Sequence, residues 1–510
     1  MRRWIQSLSV LVLVIAASLQ AQDFEQVVIN ARDQGTPLPH FWEKMFGSGR
    51  AILTLRDSYR EDLRTVKKAT GFTYVRQHGI FMDEVGLFDV DSQGKPAYNF
   101  SYIDQIYDGL LENGVKPFVE LSFMPKKLAA DPNQLHAFWY KQNISPPKDY
   151  ALWDDMIRAF ARHLVARYGI DEVATWYFEV WNEPNLDFWG GKPSMPTYYE
   201  LYDHTARALK GVNDHIRVGG PSTAQAAYAG EFLAHCKQAN VPVDFVSSHV
   251  YANDTAKDVF KTEERIPRDS MVCRAVSKVH NEIAASPYPD IPFILSEYNA
   301  SYANEPNVTD SIFMGPWLAD TIRQCDGLVD VMSYWTFSDV FEEQGVVKTP
   351  FYGGFGLIAE RGIPKPAFNA FVLLHKLGDR RLELGDDSDD VLATKMKSGG
   401  LAIAVWNYAP PAGTGASYTQ ETYDGVAEKT FEVVVKGRGA TSATVWRLDA
   451  NHGNVVKAYD DMGRPATPTQ AQIVALKKAG ALAPPERLAV RGGKLTVHVP
   501  AQGLALVEIR

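Results

Sequence analysis

The chain has 510 residues, too many for one ordinary domain, so two structural units are expected. Its 45% hydrophobic and 22% charged residues exclude a largely disordered chain. A net charge of −9, with no cluster of Lys and Arg, excludes a nucleic-acid partner and suits a neutral substrate.

In chain order, Met1-Arg2-Arg3 precedes an apolar run from Leu8 to Ala17 and then Ser18-Leu19-Gln20-Ala21. That is the charged, apolar, small-residue order of a secretory signal peptide. The apolar run is shorter than the ~20 residues that span a bilayer. Residues 1–21 are therefore expected to be removed, leaving an exported protein, periplasmic or extracellular, with no membrane attachment. In the segment 22–40, Gln26 to Ala31 alternates like a strand and is expected to pair with the second domain.

From 41 to 377, eight short β-rich runs recur with helical-period stretches between them. The runs lie around Trp42 to Gly47, Thr73 to Gly79, Lys116 to Phe123, Trp176 to Trp181, Arg217 to Gly220, Phe245 to Val250, Pro292 to Glu297 and Val331 to Phe337. Amphipathic stretches such as Tyr59 to Thr70, Ile103 to Asn113 and Trp153 to Tyr168 separate them. Eight repeats of strand then helix predict an α/β fold, a (β/α)8 TIM barrel. Beyond 377 the texture changes to alternating runs divided by Gly, Pro and Asp turns. Residues 378–510 are accordingly expected to form an accessory β-sandwich, able to cover one side of the barrel or to support a homo-oligomer.

Cys236, Cys273 and Cys325 allow at most one disulfide. With no CxxC, no HExxH and no clustered Cys and His, neither a metal nor any other cofactor is expected.

In a (β/α)8 barrel the reactive groups sit at the C-terminal ends of the strands. The fourth strand ends Glu179-Val180-Trp181-Asn182-Glu183-Pro184-Asn185, and the seventh ends Leu295-Ser296-Glu297-Tyr298-Asn299. Glu183 and Glu297 would face one another across the mouth. Two such carboxyl groups serve glycoside hydrolysis: one protonates the leaving oxygen while the other attacks the anomeric carbon. The charge of an ionised Glu297 would raise the pKa of Glu183 and keep it an acid. A lone Glu after a strand is usually a solvated carboxylate, and it is the pair in these settings that carries the reading.

These segments resemble glycoside hydrolase family 39, within the clan whose acid/base and nucleophile follow strands four and seven. The resemblance is carried by Trp181 to Leu186 with Phe188-Trp189, and by Ile294 to Tyr302. It is supported by Arg76-Gln77-His78-Gly79, by Ser248-His249-Val250-Tyr251, and by Tyr334 to Asp339 with Glu342-Glu343. It implies a retaining enzyme with Glu183 as acid/base and Glu297 as nucleophile, and a C-terminal β-sandwich. Family members include β-xylosidases and α-L-iduronidases. An iduronidase must bind a carboxylate, and the motifs here offer mostly His, Tyr, Trp and Glu, which favours a terminal β-xylosyl unit of an oligosaccharide.

Around the pair, Asn182 is placed to bond the sugar 2-hydroxyl. His78 and His249 would bind hydroxyls or brace the nucleophile, and Tyr251 would donate to Glu297. Trp335 is the expected floor of the sugar site. Glu343 and Glu342 would hold outer hydroxyls, and Phe123 would wall the pocket. Each has an ordinary structural alternative, such as a core ring or a solvated acid. Of the five Asn-x-Ser/Thr sequons, at Asn99, Asn143, Asn253, Asn299 and Asn307, that at Asn299 sits too near Glu297 to carry a glycan. Two other readings stay open: a barrel of this fold acting on another sugar, such as an α-L-arabinosidase, β-glucosidase or exopolysaccharide hydrolase, and a carbohydrate-binding barrel without catalysis.

Overall fold

The computed structural model describes residues 23–384, 388–411 and 426–510. The expected signal segment, 1–21, lies outside them. Eight strands run parallel and close into a barrel: Met45–Arg50, Tyr74–His78, Lys116–Leu121, Tyr177–Val180, Arg217–Thr223, Phe245–Tyr251, Phe293–Asn299 and Val331–Tyr334. Each pairs with its neighbours in sequence, and the ring closes where Ser333 and Tyr334 meet Met45 and Phe46. A main helix follows each strand, from Asp57–Thr70 after the first to Pro366–Leu374 after the eighth. Because helices cover the outside and side chains fill the inside, nearly every strand residue is buried.

The two ends of the barrel are filled differently. Met45, Phe118, Phe245, Ile294 and Val331 close the bottom as an apolar layer. At the top the strand interiors turn polar. Pairing sets Glu120 beside Glu179 and His249 beside Glu297. Register shifts at Ser247/Ser248, at Ser248/His249 and between Leu295 and Tyr298 re-aim side chains where these strands reach the mouth. Cys273 and Cys325 form the one disulfide the cysteine count allows, tying helix Arg268–Ala284 to helix Met314–Cys325, while Cys236 is a buried thiol.

The C-terminal region forms two facing sheets. One has three strands, Asp23–Asn30, Lys429–Lys436 and Lys494–Val499, with the N-terminal strand pairing in parallel so that Val27 lies opposite Val433. The other has seven strands, centred on Leu401–Asn407 and Gly503–Ile509. Val27, Ile29, Ile403, Phe431, Val433, Val497 and Val507 fill the space between them. The outer face of the larger sheet is apolar too: Ala402, Ala404, Trp406, Leu504 and Leu506 join the barrel's own core. The region is not all strand, however. Helices Val455–Asp461 and Gln470–Ala479 interrupt it, the second opened by a capping box between Thr469 and Gln472. Their residues Val455, Tyr459 and Leu476 pack on Phe351, Ala359 and Ile363 of the loop after strand eight. No helix among the described residues is long and apolar enough to cross a membrane.

Candidate active site

Glu183 is held by the backbone around it. Strand four ends at Val180, and Trp181 and Glu183 both adopt the left-handed region, with φ of 70° and 43°. For non-glycine residues that conformation costs about 1–3 kcal/mol, and it persists only where the surroundings impose it. Here the Glu183 N–H donates to the Ser222 carbonyl at 2.8 Å, and the Trp181 indole N–H to the Phe188 carbonyl at 2.8 Å. The Asn185 amide bonds both the N–H and the carbonyl of Ala224. The result is a carboxyl group 8% exposed at the base of a cavity of about 340 Å3.

Glu297 lines the same cavity and is 6% exposed. One oxygen from each carboxylate, with a nitrogen of His249, lies within 4.8 Å of the other two. Their surroundings differ. Glu297 accepts from the guanidinium of Arg76 at 3.1 Å and from the Tyr251 hydroxyl. Glu183 has no cation in contact; its neighbour is the His249 Nδ1 at 3.0 Å. Burial raises the pKa of both groups. At Glu297 this rise is opposed by the positive charge of Arg76, then by His78 and the Tyr251 hydrogen bond. At Glu183 burial and then the charge of Glu297 lift the pKa well above the usual carboxylate range.

Beneath the pair, Arg76 is fully buried. Its Nε donates to Glu179 at 2.6 Å, and its terminal nitrogens meet Glu120 at 2.9 Å, Asn182 Oδ1 at 2.8 Å and Ser222 at 3.2 Å. Burial opposes its charge, yet Glu179, Glu120 and Glu297 together hold its pKa above the ordinary value. Three carboxylates around one guanidinium spread a single positive charge under the mouth. His249 is also fully buried, and burial followed by the charges of Arg76 and His78 holds it neutral. Its Nε2 lies 3.3 Å from Ser222 Oγ and 3.1 Å from Ser296 Oγ. Ser296 donates its one proton to Glu179 at 2.7 Å, so its oxygen accepts from the Nε2–H of His249, and Nδ1 is left as the acceptor facing Glu183.

His78, Asn182, Tyr251, Trp335 and Glu343 line the cavity with the two carboxylates, as do residues 186, 188 and 302. His78 is oriented by Glu120, 2.7 Å from its Nδ1, which leaves Nε2 toward the cavity, 3.9 Å from Glu343. The Trp335 indole fits because Gly47 stands beneath it: a Cβ there would lie 2.2 Å from the ring. Three expectations are corrected. His249 does not line the cavity, so of its two expected roles only bracing is compatible with its position. Phe123 lies one layer back, fully buried and edge-on to Trp181. Glu342 faces away from the sugar site, because its φ of 74° turns it opposite to Glu343 and into ion pairs with Arg50 at 2.7 Å and Arg56 at 2.6 Å.

Several residues in and around the site were not singled out in the sequence. Arg76 stood within a quoted motif, but the carboxylates that surround it come from other strands. His136 and Phe138 belong to the long loop between strand three and its helix, where no periodicity marks them. That loop meets the loop after strand eight through the Trp139 N–H, 2.9 Å from the Glu343 carbonyl. Arg50 stands against both, 4.8 Å from the Tyr140 ring. Asp254 and Asp258 add acidity to the rim. Glu183, His249 and Glu297 are also placed as metal ligands would be, but Arg76 and Tyr251 already occupy the inner side of Glu297 with donors.

Residues 25–490 match the model of the glycosyl hydrolases family 39. The chain belongs to that family. It is 38% identical to a β-xylosidase of Geobacillus stearothermophilus over 86% of each chain. It is 34% identical to a β-xylosidase of Caldicellulosiruptor saccharolyticus over 91% of this chain and 93% of that one. Among solved structures, a monomeric β-xylosidase from Caulobacter crescentus CB15 superposes with a TM-score of 0.86 at 36% identity, covering 95% of this chain and 99% of that one. This family-39 chain is a glycoside hydrolase, with a barrel mouth that presents two buried, closely spaced carboxyl groups.

Proposed function

We propose that the protein removes terminal β-D-xylosyl residues from xylo-oligosaccharides with net retention, Glu297 acting as nucleophile and Glu183 as acid/base. One observation carries this reading above all: oxygens of Glu183 and Glu297, which line the same cavity, lie within 4.8 Å of each other. Retaining glycosidases hold their carboxyl groups ~5–5.5 Å apart, whereas inverting ones leave ~6.5–9.5 Å for a water. The unequal surroundings support the assignment of roles. Arg76 and Tyr251 stabilise an anion at Glu297, and Glu183 is the group kept protonated.

In the first step a Glu297 oxygen bonds to the anomeric carbon while the glycosidic C–O bond breaks, and Glu183 passes its proton to the departing oxygen. The resulting ester no longer carries the charge that raised Glu183, so Glu183 is now stable as an anion. It then takes a proton from water as that water attacks the anomeric carbon and the Glu297 carboxylate leaves. Asn182, its Oδ1 held by Arg76, has its NH2 left to bond the 2-hydroxyl.

The loops joined at Trp139 and Glu343 wall one side of the site, which suits removal of one terminal unit rather than cleavage within a chain. Among the described residues no Lys or Arg lines the cavity, while Glu343, Asp254 and Asp258 do, which suits a neutral sugar over a uronate. The β-xylosidase relatives align over most of the chain, which favours xylose. Removal of residues 1–21 on export belongs to the same reading, and N-terminal sequencing of the secreted protein, expected to begin at Gln22, tests it.

The deciding assay compares aryl β-xyloside, α-arabinoside, β-glucoside and iduronide, with the product anomer followed by NMR. We expect the β-xyloside to be cleaved best and β-xylose to appear first. Glu297→Ala should lower kcat on the order of 10⁴-fold or more. Glu183→Ala should lower it about 10²–10⁴-fold and recover with azide, giving the β-xylosyl azide. α-Xylose as first product would overturn retention, a preference for the iduronide would overturn the neutral sugar, and no cleavage at all would favour a binding barrel.

A further inference from the structure

A second cluster lies at the opposite, N-terminal end of the barrel strands. His40 precedes the short turn Phe41–Glu43 that leads into the first strand, and His375 caps the last barrel helix. Both imidazoles place Nδ1 against the same oxygen of Glu43, His40 at 2.7 Å and His375 at 2.9 Å. The Glu43 side chain is only 6% exposed, and its other oxygen is buried without a hydrogen-bond partner.

Hydrogen bonds alone leave His40 mismatched. If its proton is on Nδ1, Nε2 is an acceptor facing the Gly378 carbonyl at 3.4 Å; if on Nε2, Nδ1 is an acceptor facing a carboxylate. A metal on Nδ1 removes the conflict, because Nε2–H then donates to Gly378, the outer contact that orients metal-bound histidines. A doubly protonated His40 is the competing resolution.

We propose that His40, Glu43 and His375 bind a divalent transition metal of the zinc type. Two imidazole nitrogens and a carboxylate within 4.8 Å of one another are a donor set zinc accepts, with water as fourth ligand. His375 is 44% exposed, which opens a path from solvent. The nearby cations are engaged elsewhere: Lys376 lies 4.5 Å from the Trp446 ring and Lys397 faces Asp379 at 3.8 Å. The ion would join the start of the barrel to its end, where the chain passes into the second domain.

The test is calorimetric titration of zinc into the chelator-treated, full-length mature protein, with melting curves alongside. We expect one equivalent bound per chain and a zinc-dependent rise in Tm. His375→Gln, at a half-exposed position, should weaken binding more than about 100-fold, beyond the ~10–100-fold that loss of an outer partner alone produces, and abolish the Tm rise. Cobalt in place of zinc should give visible bands of a four-coordinate ion. Absence of saturable binding would overturn the proposal and leave the doubly protonated His40. So would binding that survives in His375→Gln but disappears in Glu297→Gln, since the ion would then sit at the barrel mouth.

Discussion

Between the two sheets of the C-terminal region, Ile29, Phe431, Val433 and Val497 meet with no charged group among them. At the barrel mouth Arg76, Glu120, Glu179, Glu183 and Glu297 are buried to a similar degree. The sandwich gains stability in proportion to the apolar area it removes from water. The mouth does the reverse: each ion there has lost its hydration, and only mutual pairing makes its burial tolerable. Left-handed residues at Trp181 and Glu183 add strain on the same side. The fold thus stores its stability in the sandwich and the barrel core, and uses it at the mouth to hold reactive groups in place.

Substitutions in the two regions should therefore separate activity from stability. The largest combined effect is expected for Arg76→Met, which leaves three buried carboxylates without their cation. It should destabilise the protein by about 3–5 kcal/mol in denaturant titration and also nearly abolish turnover of the aryl xyloside. Equal activity in a folded Arg76→Met protein would show that the guanidinium is not needed to hold Glu297. Ile29→Ala, in the strand added to the sandwich, should cost about 2–5 kcal/mol and leave kcat/KM unchanged at temperatures where the variant is folded. A marked loss of kcat/KM would mean the sandwich shapes the site after all.

The smallest effect has the opposite sign. Glu183 ionises near the ordinary glutamate value in the unfolded chain but at higher pH in the fold, so its burial costs nothing below that ordinary value and progressively more above it. Glu183→Gln should match the parent Tm in acid and exceed it increasingly as pH rises. A variant less stable than the parent at neutral pH would sink the view that Glu183 is strained by its own charge.

Much of this was legible in the chain. The eight barrel strands were visible as recurring runs because each holds bulky apolar residues near its start, such as Phe245-Val246 and Phe293-Ile294, where both faces of a parallel strand are buried. Their ends were not: strand eight stops at Tyr334, and Trp335 leaves it to line the cavity. Helices Val455–Asp461 and Gln470–Ala479 were hidden because only a few of their residues are buried, so no apolar stripe announces them.

From the sequence by itself came the barrel, the accessory β-region and the two glutamates, because local periodicity and short motifs at strand ends are properties of neighbouring residues. The tertiary structure alone decided that Arg76 lies under both carboxylates, that His249 braces rather than binds, and that Glu342 and Glu343 part company. Each of those outcomes depends on charges and backbone angles brought together from different barrel strands and the loops that follow them, and the electrostatic balance that sets Glu183 apart from Glu297 exists only once the ring of strands has closed.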